Sequence, residues 1–319
     1  MFRGMKVVAL EEHYWDAELI ERTKDRALSR DGEMRRQLQD FDTVRVEHMD
    51  RAGIDYQVLS HAAPSGQYVF GADAPDLLRR VNDRLAEGVA RRPDRLGAFA
   101  ALPTADPQAA AKELERCVTQ LGMKGAMIHG PTGEKFIDGQ EFWPIFATAE
   151  QLDVPIYLHP ATPLRSVVDA YYKDYMKAFP TVISAGWGFT VETATTAIRL
   201  ILSGMFGKYP KTKIVLGHFG ESIPFLLWRI DQALSRPGQE GVKFRETFCN
   251  NFWLTSSGNF STPGLLCCAQ EMGMDKLMFS VDWPYVANED GMDWIGTLQM
   301  NESDLRKFLG GNAARLLKL

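Results

Sequence analysis

The chain is poor in cysteine and has no long apolar run, no basic tract and none of the glycine signatures of nucleotide enzymes. Each lack removes a class of function. Its 319 residues include four cysteines, Cys117, Cys249, Cys267 and Cys268, and no CxxC pair. Neither a disulfide framework nor a cysteine metal finger is expected, and the thiols are read as reduced structural residues. No apolar stretch reaches membrane-spanning length, and the opening MFRGMKVVALEEHYW has no apolar core long enough for a signal peptide. A soluble, cytoplasmic protein is therefore expected. Lys and Arg number 36 against 41 Asp and Glu, with no basic run, which argues against nucleic acid as a partner. There is no P-loop, no GxSxG elbow and no complete GxGxxG, since Gly186-Trp187-Gly188 lacks the third glycine. Internal repeats and low-complexity tracts are also missing.

What the chain does have is eight short apolar runs, most of them ending on a histidine or an acid: Val7–His13, Ile54–His61, Leu96–Pro103, Lys124–His129, Pro155–His159, Lys213–His218, Asn251–Gly258 and Lys276–Asp282. Their length and content suit strands buried on both faces. Between them, apolar residues three and four apart mark helices at Ala74–Arg92, Pro107–Leu121, Glu141–Leu152, Glu192–Phe206, Ile223–Leu234 and Pro263–Met272. Strand–helix alternation builds a parallel sheet, and eight such units predict an α/β fold, a (β/α)8 TIM barrel, as one domain over residues 1–319. Two connections exceed a simple crossover. The one after the first strand carries the charged ERTKDRALSRDGEMRRQLQD. The one after the fifth carries the aromatic VVDAYYKDYMKAF and then AGWGF, which suit either a ring-shaped ligand or a subunit contact. The terminal KFLGGNAARLLKL predicts an amphipathic helix packed on the outside of the barrel.

Barrel enzymes collect their active sites at the C-terminal ends of the strands. Five of the six histidines fall there, His13, His61, His129, His159 and His218, while His48 lies off the strand ends and is expected in solvent. Glu11 and His13 are two apart on the first strand and share its inward face; Glu12 points outward. With His159, His218 and Asp282 they offer acids and imidazoles on one rim, a donor set that suits Zn²⁺, Mn²⁺ or Fe²⁺ better than Ca²⁺ or Mg²⁺. Glu221 follows His218 closely enough to orient it as a general base, and Arg229, further along the next helix, is placed to hold Glu221 ionised.

These residues carry a resemblance. Leu10-Glu11-Glu12-His13, Tyr157-Leu158-His159-Pro160, the run Val191–Asp231, Thr255-Ser256-Ser257-Gly258-Asn259-Phe260, Phe279-Ser280-Val281-Asp282-Trp283-Pro284 and Asn312-Ala313-Ala314-Arg315-Leu316-Leu317 together resemble the metal-dependent decarboxylases of the amidohydrolase superfamily. That family includes γ-resorcylate, 2,3-dihydroxybenzoate and 5-carboxyvanillate decarboxylases, with aminocarboxymuconate semialdehyde decarboxylase more distant. The resemblance implies one divalent metal, manganese in the aromatic-acid branch and zinc in the semialdehyde branch, held by Glu11, His13, His159 and Asp282. It implies Asp282, His218 and Glu221 as the catalytic acid/base groups, Arg229 as a supporting substrate contact, a small aromatic carboxylic acid as substrate, and a homo-oligomer, dimer or tetramer. The pocket departs from the family pattern: Ser60-His61-Ala62-Ala63-Pro64 stands where SLNAP is usual, and His129 where an asparagine is common. His61 and His129, with Trp187 of the AGWGF segment, are therefore assigned to substrate binding.

The expected reaction is non-oxidative decarboxylation of an ortho-hydroxybenzoate-type acid, with Asp282 as proton donor to the ring. A metal-dependent hydrolase or hydratase acting on a lactone, amide or unsaturated acid is the alternative, since both reactions want one metal with open positions. A non-catalytic metal barrel is the third reading, and it leaves Glu221 and the aromatic loop without a purpose.

Overall fold

The structure, a computed structural model, describes residues 2–24, 32–236 and 242–319. Part of the charged stretch after the first strand, residues 25–31, lies outside the described residues; its flanks form the helices Ala17–Arg22 and Gly32–Gln39. The strands are β1 Val8–Tyr14, β2 Tyr56–His61, β3 Leu96–Ala98, β4 Ala100–Ala101, β5 Ala126–His129, β6 Pro155–His159, β7 Lys213–Leu216, β8 Phe252–Thr255 and β9 Leu277–Met278. All pairs are parallel, in the orders β1-β2-β3 and β4-β5-β6-β7-β8-β9.

The third apolar run is split at Phe99, whose N–H reaches Leu59 O on one side (2.9 Å) while the next amide, Ala100, turns to Gly125 O on the other (2.9 Å). That run joins the two sheets. Between β9 and β1 there is no ladder: Leu10 and Glu11 donate their amides to the Ser280 hydroxyl (3.0 and 2.6 Å), and His13 donates to Trp283 O (2.7 Å). The arrangement is consistent with the expected barrel, with the ladder open at these two seams. Both faces of the strands are buried, as period-two alternation in a parallel sheet requires. Val8, Leu10, Tyr56, Val58, Phe99, Met127, Tyr157, Val215 and Met278 form one cluster, and the opposite faces pack on the helices.

Two expected helices, Pro107–Leu121 and Ile223–Leu234, are found with the expected bounds. Glu192–Phe206 is divided instead into Gly188–Leu202 and Met205–Lys208, because Gly204 takes a left-handed φ of 83° between them. The C-terminal helix Asn312–Leu317 corrects its assignment to the outside. Ala313, Leu316 and Leu317 belong to the interior cluster, and Asn312 donates to Met274 O and Leu277 O (2.7 and 2.8 Å), so the helix stoppers the N-terminal ends of the strands. His48 is half-buried and edge-on to Trp283 (5.8 Å), not in solvent.

Asp16 fixes the exit of β1 by capping the helix Ala17–Arg22, accepting from Glu18 N and Leu19 N (3.0 and 3.1 Å) and from Arg84 (2.7 and 2.9 Å). Burial pushes this carboxyl up, and the Arg84 fork and Leu19 amide outweigh it, leaving the pKa below its ordinary value. A lowered folded pKa stabilises above the unfolded value and is lost as pH falls through the folded one. Asp16→Ala is expected to cost about 1–2 kcal/mol at pH 7, since Arg84 is half exposed and screened. Urea unfolding should show that deficit shrinking in acid; a deficit constant down to the folded pKa refutes the account.

Candidate active site

Glu11 and His13 enter the C-terminal end of the barrel from β1, His159 from the last position of β6, and Asp282 from the segment that follows β9. One ligand atom from each of the four lies within 4.8 Å of all the others. His13 Nε2 is 3.1 Å from Asp282 Oδ1, and His159 Nε2 is 3.2 Å from Glu11 Oε1. Glu11 Oε1, His13 Nε2 and Asp282 Oδ1 are buried and have no hydrogen-bond partner in the protein. Buried polar atoms need partners, and a divalent ion at their meeting point satisfies all three. Two carboxylates and two imidazoles fit such an ion of the Zn²⁺ or Mn²⁺ kind.

The surroundings hold these donors in place. Glu11 Oε2 accepts from the Tyr157 hydroxyl, which also meets Thr255 Oγ1 at 2.7 Å. A Cβ at Gly217 would collide with the Glu11 carboxylate, so glycine is needed there. Burial opposes ionisation of Glu11, but the positive charge of His218 holds its carboxyl well below the usual range. Burial drives His13 down, towards the neutral ligand form.

His159 Nδ1 lies 2.7 Å from Pro160 O and 2.9 Å from His129 Nδ1, while His129 Nε2 lies 2.8 Å from His61 O. The His61 carbonyl assigns the proton of His129 to Nε2, leaving its Nδ1 an acceptor for His159 Nδ1–H. His159 Nε2 is then bare and directed at Glu11. Burial keeps His129 well below an ordinary histidine, as this acceptor role requires.

His218 lies two residues beyond β7, at the start of a turn in which His218, Phe219, Gly220, Glu221 and Ser222 all have left-handed φ, from 51° to 76°. Such backbone is costly for residues other than glycine and is found where packing overrides it. Here Phe219 is buried, and the imidazole Nδ1 donates to Glu221 Oε1 at 2.7 Å. The turn leaves Nε2 at 3.8 Å from Glu11 Oε1 and 4.0 Å from Asp282 Oδ2. Burial opposes the imidazolium, yet the charges of Glu221 and Glu11 and the hydrogen bond to Glu221 raise its pKa well above the ordinary value.

A cavity of about 480 Å³ opens over this cluster, lined by His159, His218, Glu221 and Asp282, with Trp15, Ser257, Asn259 and Tyr285 among its walls. The loop after β6 contributes Thr181, Ser184 and Ala185, and the first turn of the helix Gly188–Leu202 contributes Phe189 and Thr190. The exposed aromatics of the loop do not line the cavity: Tyr171, Tyr175, Phe179 and Trp187 face solvent. Like Trp187, three further candidates are not brought to the cavity wall. His61 is buried behind the site, its Nδ1 on Ala62 O at 2.8 Å and its ring edge-on to Tyr14. Burial lowers its pKa to about 4. His129 touches His159, not the cavity. Arg229 is exposed and has no ion pair or hydrogen bond among the described residues. It lies six positions into the helix Ile223–Leu234, a rise of about 9 Å from the helix start.

Tyr157, Thr255 and Glu12 escaped the sequence reading. Tyr157 shares the inward face of β6 with His159, two positions on, so alternation alone could have found it. Glu12 does point away from the barrel interior, yet it is fully buried. Its carboxylate accepts from Ser280 Oγ (3.1 Å), Val281 N (3.0 Å), Trp283 N (3.1 Å) and Gln57 Nε2 (3.3 Å). No helix of the described residues is long and apolar enough to cross a membrane.

Residues 11–319 match the Amidohydrolase family. A γ-resorcylate decarboxylase from a Polaromonas species is 40% identical over 327 residues, covering 98% of each chain. The crystal structure of a 2,6-dihydroxybenzoate decarboxylase complexed with 2,6-dihydroxybenzoate superposes with a TM-score of 0.89 at 37% identity, covering 99% of this chain and 100% of that one. A dihydroxybenzoic acid decarboxylase from Polaromonas, solved with manganese and the inhibitor 2-nitroresorcinol, gives 0.89 at 39% identity, covering 99% of this chain and 97% of that one.

Proposed function

The chain belongs to the amidohydrolase family, and from that premise we propose that it catalyses the metal-dependent, non-oxidative decarboxylation of an ortho-hydroxybenzoate-type aromatic acid. The observation that carries the reading is the convergence of Glu11, His13, His159 and Asp282 on one point beneath a cavity walled by His218 and Glu221. The cavity volume, about 480 Å³, is ample for a single-ring acid. Residues 1–319 are read as one domain. Manganese is the ion, with zinc the alternative, in line with the manganese of the Polaromonas structure.

Loss of CO₂ directly from a ring would leave an aryl anion, so the ring carbon bearing the carboxylate must be protonated first. The bound ion supplies charge neutralisation and a fixed geometry for a carboxylate and its ortho oxygen. In this reading the oxygens of Asp282 divide the work. Oδ1, buried and beside His13, would serve as the ligand oxygen, and Oδ2, on the side of His218 Nε2, carries the proton to the ring carbon. The C–C bond then breaks, its electron pair restores the aromatic ring, and CO₂ leaves. His218, held through Nδ1 by Glu221, returns a proton to Asp282 and offsets the negative charge of the substrate.

Metal-replete protein offered salicylate, 2,3-dihydroxybenzoate, 2,6-dihydroxybenzoate and 5-carboxyvanillate should release CO₂ from at least one and form the matching phenol. Acids hydroxylated only in the para position should be inert, because their phenolate cannot reach an ion held by the carboxylate. Hydrolysis of a lactone or amide with no CO₂ from any acid overturns the reading. A dimer or tetramer is also proposed, supported by exposed Phe225 and Trp228 on one helix, and sedimentation reads it directly.

A further inference from the structure

Asp282 needs a particular backbone to present one oxygen to His13 and the other to His218. Its φ is 74°, left-handed, and β9 ends at Met278, so no ladder holds it. What holds it is the residue between two of the proposed metal ligands. Glu12 Oε1 accepts from Val281 N at 3.0 Å, and Oε2 accepts from Trp283 N at 3.1 Å. Those are the amides immediately before and after Asp282, and one carboxylate binds both.

The carboxylate is in turn fixed on every side. Ser280 Oγ donates to Oε1 while itself accepting the amides of Leu10 and Glu11, tying the clamp to β1 across the open seam. Gln57 Nε2 donates to Oε2, and Gln57 Oε1 accepts from Arg45 Nη1 at 3.3 Å. Arg45 is fully buried, donates to His13 O at 2.6 Å, and lies over the Trp283 ring at 4.2 Å. A lone buried acid would be costly; an acid with four donors and a nearby guanidinium is a rigid part. The four donors occupy the lone pairs of both oxygens, so rotation of the carboxylate breaks several bonds at once.

We propose that Glu12 is a positioning residue for the reaction: its carboxylate grips the two peptide groups flanking Asp282 and thereby sets the direction of that acid's oxygens. The consequence for turnover rests on the role proposed above for Asp282, whereas the grip itself does not.

The test is Glu12→Gln in the full, metal-loaded chain. A glutamine keeps the shape but has one acceptor oxygen, so one of the two amides must face an NH₂ group. Amide exchange at Val281 or Trp283, read by fragmentation mass spectrometry, should accelerate about tenfold or more, the loss of one buried hydrogen bond. The amide of Phe279, which donates to Phe308 O, serves as the unchanged reference. Turnover per metal-loaded site should fall about 10–100-fold with KM within about threefold, as for a displaced catalytic group. A merely structural acid would lower the melting temperature and leave turnover per loaded site unchanged. Gln57→Met covers the case in which Glu12→Gln does not fold. It frees only Oε2, so exchange should quicken at Trp283 more than at Val281, with a smaller loss of turnover. Unchanged exchange at both amides, or unchanged turnover per loaded site in an otherwise active enzyme, overturns the proposal. If wild-type protein decarboxylates none of the acids, the functional reading fails while the exchange result still decides the grip.

Discussion

Alanine at His159 or His13 is expected to strip the purified protein of its metal and, with it, of turnover. Each removes one of four donors that meet within 4.8 Å. The loss of affinity should exceed the roughly 10–100-fold that removal of an outer hydrogen-bonding partner costs. His129→Ala provides that smaller value. It leaves His159 Nδ1 with Pro160 O alone, so the ring keeps its tautomer but loses its second brace. His61→Ala should leave binding near wild type, because only the backbone oxygen of His61 supports His129. Metal content after dialysis against a graded chelator series ranks the four variants. Full occupancy in His159→Ala and His13→Ala removes the assignment, and equal losses in all four point to general unfolding instead.

The ranking also shows why the sequence was readable where it was. Strand-end histidines announce a site because parallel strands buried on both faces tolerate a polar residue mainly where they open onto a bowl. That rule found Glu11, His13, His159, His218 and Asp282 but could not sort a donor facing the cavity from one facing another histidine. His61 and His129 end β2 and β5 in the same way as His159 ends β6, and only the side-chain contacts behind His159 separate them. Arg229 and Trp187 lie away from the cavity wall for a different reason. Each was placed by proximity along the chain, and helix phase and loop path decide on which side such residues emerge.

Glu12 was misjudged by half. Alternation correctly turned it away from the barrel interior, but in a strand–helix barrel the outward face is covered by helices, so an acid there is buried and must find donors. Arg45, the one fully buried arginine among the described residues, shows where the partners lie, yet sequence offers no register between a helix residue and the strand it covers. The C-terminal helix was misplaced on similar grounds, since an amphipathic stripe states that a face is buried without saying against what.

The second large effect concerns proton transfer. Asp282→Asn retains an oxygen for the ion and removes the acid, so turnover should fall about 10²–10⁴-fold while KM and metal content stay close to wild type. His218→Asn should fall in the same range, because it removes both the returning proton and the positive charge 4.0 Å from Asp282 Oδ2. The pH dependence separates this role from simple packing. Glu221 and Glu11 raise the His218 pKa above its ordinary value, so the protonated form persists through neutral pH and is lost as pH rises through the raised value. Glu221→Gln removes the stronger of those two charges while leaving an amide oxygen to accept from Nδ1. The alkaline limb of the turnover profile should therefore move to lower pH, with little change on the acid side. A limb that stays in place excludes His218 as the group whose protonation the reaction needs, and near wild-type turnover in Asp282→Asn removes the aspartate from proton transfer altogether.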